Sequence, residues 1–173
     1  MNKIKIALTI LLFMVHSTMM PGGYVGLSDS MLFEAKKIVF YSEVYTKEFS
    51  VELLKECMYY EKIQHPDVVL TQSELETGHY TSPLFLIANN LFGMRLAEVR
   101  ETTAIGEYDF HAKYNHWTDS VKDYKKFQEW YTSIGYDIGN DSDGYLVFLK
   151  WIRYATDKRY IAKLILMGNK EIS

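Results

Sequence analysis

Glu76 is the side chain best placed to do chemistry. It lies in Leu70 to Tyr80, LTQSELETGHY, near the C-terminal end of a predicted helix. When Asp67 to Thr77 is projected at about 100° per residue, Val68, Val69, Gln72, Leu75 and Glu76 share one arc. A carboxyl group on an apolar face is desolvated, which raises its pKa, and a helix C-terminus opposes the same negative charge. Both effects favour a carboxyl that holds its proton near neutral pH, as a general acid must. The alternative is a helix-end carboxylate paired with a lysine or arginine. Glu74 projects to nearly the opposite side and is expected to be solvated; residues two apart on a helix do not face each other, so the two glutamates are not a catalytic pair.

Other chemistries find little to work with. His65, His79, His111 and His116 form no HExxH pattern, and Cys57 is the only cysteine, so neither a zinc hydrolase nor a thiolate metal site is indicated. No cofactor is expected, because no glycine-rich phosphate loop is present. Cys57 sits among Leu53, Leu54 and Tyr60 and reads as a small core residue rather than a nucleophile.

The elements that must position Glu76 are mainly helices. Helical spacing predicts one from Ser30 to about Tyr45, and another from Ser50 as N-cap to about Ile63. Pro66 opens the helix that carries Glu76, and Gly78 ends it as a left-handed C-cap. From Glu107 to Tyr114 the residues alternate, which predicts a strand with Tyr108, Phe110, Ala112 and Tyr114 on one face. Thr102 to Ile105 is the expected partner strand, with the turn near Gly106. Asp119 and Ser120 look like the N-cap of the next helix, whose apolar stripe is Val121, Tyr124, Phe127 and Tyr131. Asp123 on that helix either braces a cleft or is solvated. Two further helices are predicted, Ser142 to Tyr154 and Asp157 to Met167. The fold class is therefore α+β, mostly helical, with a small β-hairpin.

With 173 residues, 48% of them hydrophobic, the chain is the size of one domain with a real core. Its formal net charge of -3 argues against nucleic acid or an anionic membrane surface as partner. Lys3 and Lys5 precede the apolar run Ile6 to Val15, too short for a comfortable membrane span and the right length for a signal-peptide core. Residues 1–22 are read as a signal peptide or N-terminal anchor, with a buried first helix as the alternative, and residues 23–173 as one catalytic domain. Export follows from that reading. A monomer is the default.

Four blocks in order, LTQSELETGHY, NNLFGM (Asn89 to Met94), YNHWTDSVKDY (Tyr114 to Tyr124) and YATDKRYIAKL (Tyr154 to Leu164), resemble the glucosaminidase family of peptidoglycan hydrolases. This family, glycoside hydrolase family 73, includes the wall-cutting domain of flagellar rod assembly proteins and many bacterial autolysins. The resemblance spans about Ser50 to Met167. It implies a lysozyme-like fold with a small hairpin lobe and hydrolysis of the β-1,4 bond after N-acetylglucosamine, with peptidoglycan glycan strands as partner. The glutamate that precedes a small residue and glycine in the family matches Glu76, the implied general acid. The family often has an aromatic residue directly after that glycine; here His79 intervenes before Tyr80.

A helping group must meet the positive charge that develops at the anomeric carbon. The resemblance implies a helping carboxylate in the hairpin lobe, where the chain offers Glu98, Glu101, Glu107 and Asp109. Glu107 is favoured, with a solvated glutamate on the polar face of the strand as its alternative, and the substrate's own 2-acetamido group is the other route. On the apolar face of its strand, Tyr114 can pack its ring while its hydroxyl reaches the cleft; the resemblance gives it the task of positioning that acetamido group or stabilising the transition state, and a core tyrosine is the alternative. Asn90, Tyr80 and Phe92 are the expected substrate contacts, and turn capping is the alternative for Asn89 or Asn90. Muramidase or lytic transglycosylase action on the same fold, and a wall-binding or assembly protein without turnover, are the alternatives to the implied activity.

Overall fold

Serine and proline punctuate several helix starts of this chain, and the computed structural model, which describes residues 19–20, 23–24 and 28–169, puts Ser28, Ser50 and Ser82 at N-caps and Pro66 and Pro83 in the first turn. The predicted leader, apart from residues 19–20, lies outside the described residues. The chain falls into two compact units that divide between Leu53 and Leu54. The first contains the antiparallel strands β1 (Met19–Met20) and β2 (Gly23–Tyr24) and helix α1 (Asp29–Glu43). Ser28 Oγ accepts from Met31 N to cap α1, and a 3-10 turn follows at Val44–Thr46.

Helix α2 (Val51–Tyr60) starts where Ser50 Oγ accepts from Leu53 N at 3.2 Å, as its sequence predicts, and it ends three residues earlier than expected. Helix α3 (Pro66–Thr77) carries Glu76 and stops at Gly78, φ +55. Its environment differs from the two-faced helix of the projection. Val68, Val69, Leu70, Thr71, Gln72 and Ser73 are all buried, and Glu74 is half-buried like Glu76 rather than solvated. The helix is central: α6 (Ser142–Trp151) and α7 (Tyr160–Gly168) pack on it, and so does the short α4 (Pro83–Ala88). No helix was expected at α4, although Ser82 as N-cap, Pro83 at its first position and Asn89 as left-handed C-cap are ordinary boundary signals.

The hairpin has a different register from the one predicted. β3 (Gly106–Tyr108) pairs with β4 (His111–Lys113), and Glu107 lies opposite Ala112. The turn therefore falls at Asp109 and Phe110, φ +47 and +62, inside the expected single strand. The loop on either side sets this register: Ala112 N donates to Met94 O at 2.8 Å and Ile105 N to Lys113 O at 2.8 Å. Helix α5 (Trp117–Ser133) is capped by His116, whose Nδ1 accepts from Thr118 N, and not by Asp119 or Ser120.

Asp123 on α5 is a brace. It has no exposed surface. Its carboxylate accepts two bonds from Arg100, at 2.8 and 3.1 Å, one from Thr103 N at 3.3 Å and one from the Tyr114 hydroxyl at 2.8 Å. The Arg100 side chain is only 7% exposed. Removing one partner of such a buried pair strands the other charge. Asp123→Ala is expected to lower stability by about 3–5 kcal/mol in urea titration.

The result is a mostly helical α+β protein of lysozyme-like type. Among the described residues no helix is long and apolar enough to cross a membrane.

Candidate active site

The carboxyl of Glu76 lies directly over Gly93. A Cβ built on Gly93 would stand 2.6 Å from Glu76 Oε2 and 3.1 Å from its Cδ, and the backbone there has φ +65. Only glycine tolerates both conditions. Asn90 shapes the turn that brings Gly93 to this point. Its Oδ1 accepts from Phe92 N and Met94 N, and its Nδ2 donates to Met94 O and Ala112 O. The second sequence block thus forms the surface on which the acid of the first block rests.

Burial pushes the Glu76 carboxyl above the ordinary carboxylate range; a hydrogen bond from the Tyr160 hydroxyl and the charges of His111 and Lys163 pull the other way. The Tyr160 bond has a long support. Gln72 Nε2 donates to Tyr160 Oη at 3.1 Å, Tyr124 Oη donates to Gln72 Oε1 at 2.6 Å, and Tyr124 meets Tyr145 Oη at 2.7 Å. Gln128 Nε2 reaches Tyr145 Oη at 3.0 Å, and its amide is pinned to Gln64 by both backbone groups. Because Tyr124 gives its proton to Gln72, Tyr145 must donate to Tyr124. Every donor in the chain therefore points toward Glu76, and Tyr160, whose oxygen is occupied by Gln72, has its proton free for the carboxyl. Burial pushes the Tyr145 hydroxyl up to about 12 and also raises those of Tyr124 and Tyr160 well above the ordinary tyrosine value, so the chain is neutral at working pH.

Tyr160→Phe removes the bond that favours the charged carboxylate, so the pKa of Glu76 is expected to rise further. An acid must be protonated to act, so the alkaline limb of the pH–rate profile should move to higher pH. An unmoved limb would show that the bond does not tune the acid.

The remaining expected site residues divide by how fully their polar atoms are occupied. Asn90 and Phe92 have no exposed surface. Asn90 is saturated by the turn and Phe92 packs on Tyr124, an arrangement in which both side chains support the turn that carries Gly93. Asn89 likewise caps α4 and donates to Tyr114 O and Asn115 O. Tyr114 is 1% exposed and its hydroxyl donates to Asp123. Tyr80 is half-buried, in left-handed backbone with φ +63, and its hydroxyl is bonded to Ser73 Oγ at 2.9 Å. Glu107 is exposed on β3.

Gly93, Gln72, Tyr154 and Tyr160 were not read from the sequence as site residues, although all four lie within the quoted blocks. Tyr154 donates its hydroxyl to Phe92 O at 2.6 Å and so clamps the turn that carries Gly93. Among the described residues no cluster of three or more His, Cys, Asp or Glu is placed to hold a metal ion.

A lysozyme-like frame that holds one carboxyl partly dehydrated against a glycine turn has the form of a glycosidase site. The chain belongs to the glucosaminidase family: the family model described as mannosyl-glycoprotein endo-beta-N-acetylglucosaminidase matches residues 51–171. That range nearly coincides with the second compact unit, which begins at Leu54. No curated protein and no solved structure gives a significant match. Membership makes the protein a peptidoglycan-hydrolysing glycosidase in general terms, with an extracytoplasmic role.

Proposed function

We propose that the protein is an exported endo-β-N-acetylglucosaminidase that cleaves the β-1,4 bond after N-acetylglucosamine in peptidoglycan, with Glu76 as proton donor. The observation that carries this reading is the raised carboxyl of Glu76, held over Gly93 and oriented by Tyr160. The glycosidic oxygen is a poor leaving group until protonated, so a carboxyl that keeps its proton near neutral pH supplies what the reaction lacks. Tyr160 limits how far the acid is raised, and the chain through Gln72 keeps that hydroxyl aimed.

The positive charge on the anomeric carbon needs a second group. Glu107 is the hairpin carboxylate we assign to it, as nucleophile or as base for water. Its exposure on β3 fits a group that must meet substrate and water, and His111 on the paired strand is close enough to Glu76 to attract its charge. Attack by the 2-acetamido group is the competing route. Glu107→Gln separates them: loss of about a hundredfold or more in kcat supports the carboxylate, whereas a nearly unchanged kcat supports acetamido assistance.

The bond itself is tested by reducing the products of a peptidoglycan digest with borohydride and identifying the modified sugar. Reduced N-acetylglucosamine supports the proposal. Reduced N-acetylmuramic acid, or an anhydro sugar, would falsify it in favour of muramidase or lytic transglycosylase action.

A further inference from the structure

A groove of about 350 Å³ opens beside Gly93 and Tyr154, the two residues that frame the acid, and runs away from them across α5 and the end of α6. Its apolar wall includes Phe127, Trp130, Tyr131 and Ile152. Its charged lining residues are Arg95, Arg100 and Arg153, with no carboxylate among them. In a chain of formal net charge -3, that concentration of positive charge is local and one-sided.

The three arginines are not equivalent. Arg100 is spent on Asp123, as described above. Arg95 and Arg153 are exposed, and neither side chain has a hydrogen bond or ion pair among the described residues. Arg153 also occupies an unusual backbone position. It follows α6 with φ +53, where glycine is the unstrained choice, and Tyr154 N donates back to Leu149 O at 3.0 Å to close the helix end. A long cation placed in left-handed backbone, beside a groove that holds no counter-charge, points to a ligand that brings its own.

We propose that this groove binds the peptide stem of peptidoglycan, with Arg95 and Arg153 pairing with the stem's free carboxylates. The inference rests on the reading of the protein as a peptidoglycan glucosaminidase and adds the part of the substrate it recognises beyond the glycan. In the alternating polymer, the sugars flanking the N-acetylglucosamine at the scissile bond carry lactyl-linked peptides, so a stem emerges next to the bond that Glu76 protonates. The apolar wall suits the alanine side chains and aliphatic stems of such a peptide, and guanidinium groups pair with carboxylates in bidentate geometry. Strands stripped by an amidase keep only the lactyl carboxylate at each muramic acid ring and lack the stem's own carboxylates and apolar side chains.

The test compares rates on peptide-bearing glycan strands with rates on strands stripped of peptide by an amidase, for wild type and for the double variant Arg95→Gln/Arg153→Gln. Both arginines are exposed, and a melting curve checks that the variant is folded. Wild type is expected to favour the peptide-bearing strands by about tenfold in kcat/KM, a preference that added salt weakens. In the double variant the ratio of the two rates should fall to near one. An equal rate of wild type on both strands, or a preference that survives the double substitution, overturns the proposal and leaves the hydrolase reading standing. Titration of muramyl tripeptide into the protein supplies an independent readout. Arginine-dependent binding by a protein that cuts neither strand supports the groove and sinks the hydrolase reading; absence of binding by wild type counts against the groove.

Discussion

Gly93→Ala is expected to lower turnover on peptidoglycan by about a hundredfold or more, with only a small loss of stability. The new methyl group would stand 2.6 Å from Glu76 Oε2, well inside contact distance. The nearest atoms all belong to the far half of one flexible side chain, so the collision is relieved by moving the carboxyl and not the core. That movement costs activity, because proton donation needs the acid within hydrogen-bond reach of the leaving oxygen. The backbone at φ +65 adds a strain of about 1–2 kcal/mol for any residue with a Cβ. Activity falling far more than the melting temperature is the expected signature. A variant with near wild-type kcat would show that the position of Glu76 over this turn is immaterial.

Glu76→Gln is expected to lower kcat by roughly 10²–10⁴, the range for loss of a general acid, and at the same time to make the protein more stable at neutral pH. The stability effect follows from the raised pKa. The native state binds this proton more tightly than the unfolded chain does. The stability it contributes is therefore complete below the unfolded pKa of about 4.3 and is lost as pH rises through the higher folded value. Glutamine carries no charge at any pH and escapes that loss. Melting temperatures measured across pH should agree for the two proteins in acid and diverge above it, with the variant higher. A variant less stable than wild type at neutral pH would show that the charged carboxylate is welcome in its site.

Much of the frame around Glu76 was legible in local signals. Ser50, Pro66 and Gly78 act at short range through caps and fixed φ values, and the helices they bound start or stop where they predict. The hairpin register was not legible. Its turn uses Asp109 and Phe110 in left-handed backbone, and phenylalanine gives no local hint of that conformation. The alternation of Tyr108, Phe110, Ala112 and Tyr114 runs straight through the turn, while Ile105 at the start of the hairpin and Met94, distant in sequence, fix where the chain reverses.

The site was legible only in part, for the same reason. Glu76 announced itself by its place on one helix. The turn that supports it depends on Asn90 bonding to Ala112, and the hydroxyl that orients it depends on Gln72 meeting both Tyr160 and Tyr124. Such pairings have no period. The projection puts Gln72 on the apolar arc, but the hydroxyls of Tyr160 and Tyr124 that satisfy its buried amide come from two other helices and leave no trace in that pattern. Tyr114 is a related case: its hydroxyl is committed to Asp123, a partner nine residues on that no alternation pattern reveals.

The central claim is that Glu76 donates the proton that breaks the glycan chain. The most direct measurement is the rate at which purified peptidoglycan is converted to soluble muropeptides, read by product mass, for wild type and folded Glu76→Gln side by side. Wild type should release fragments that end in N-acetylglucosamine, and Glu76→Gln should release essentially none over the same period. Release by the variant within tenfold of the wild-type rate, with the same products, would contradict the account.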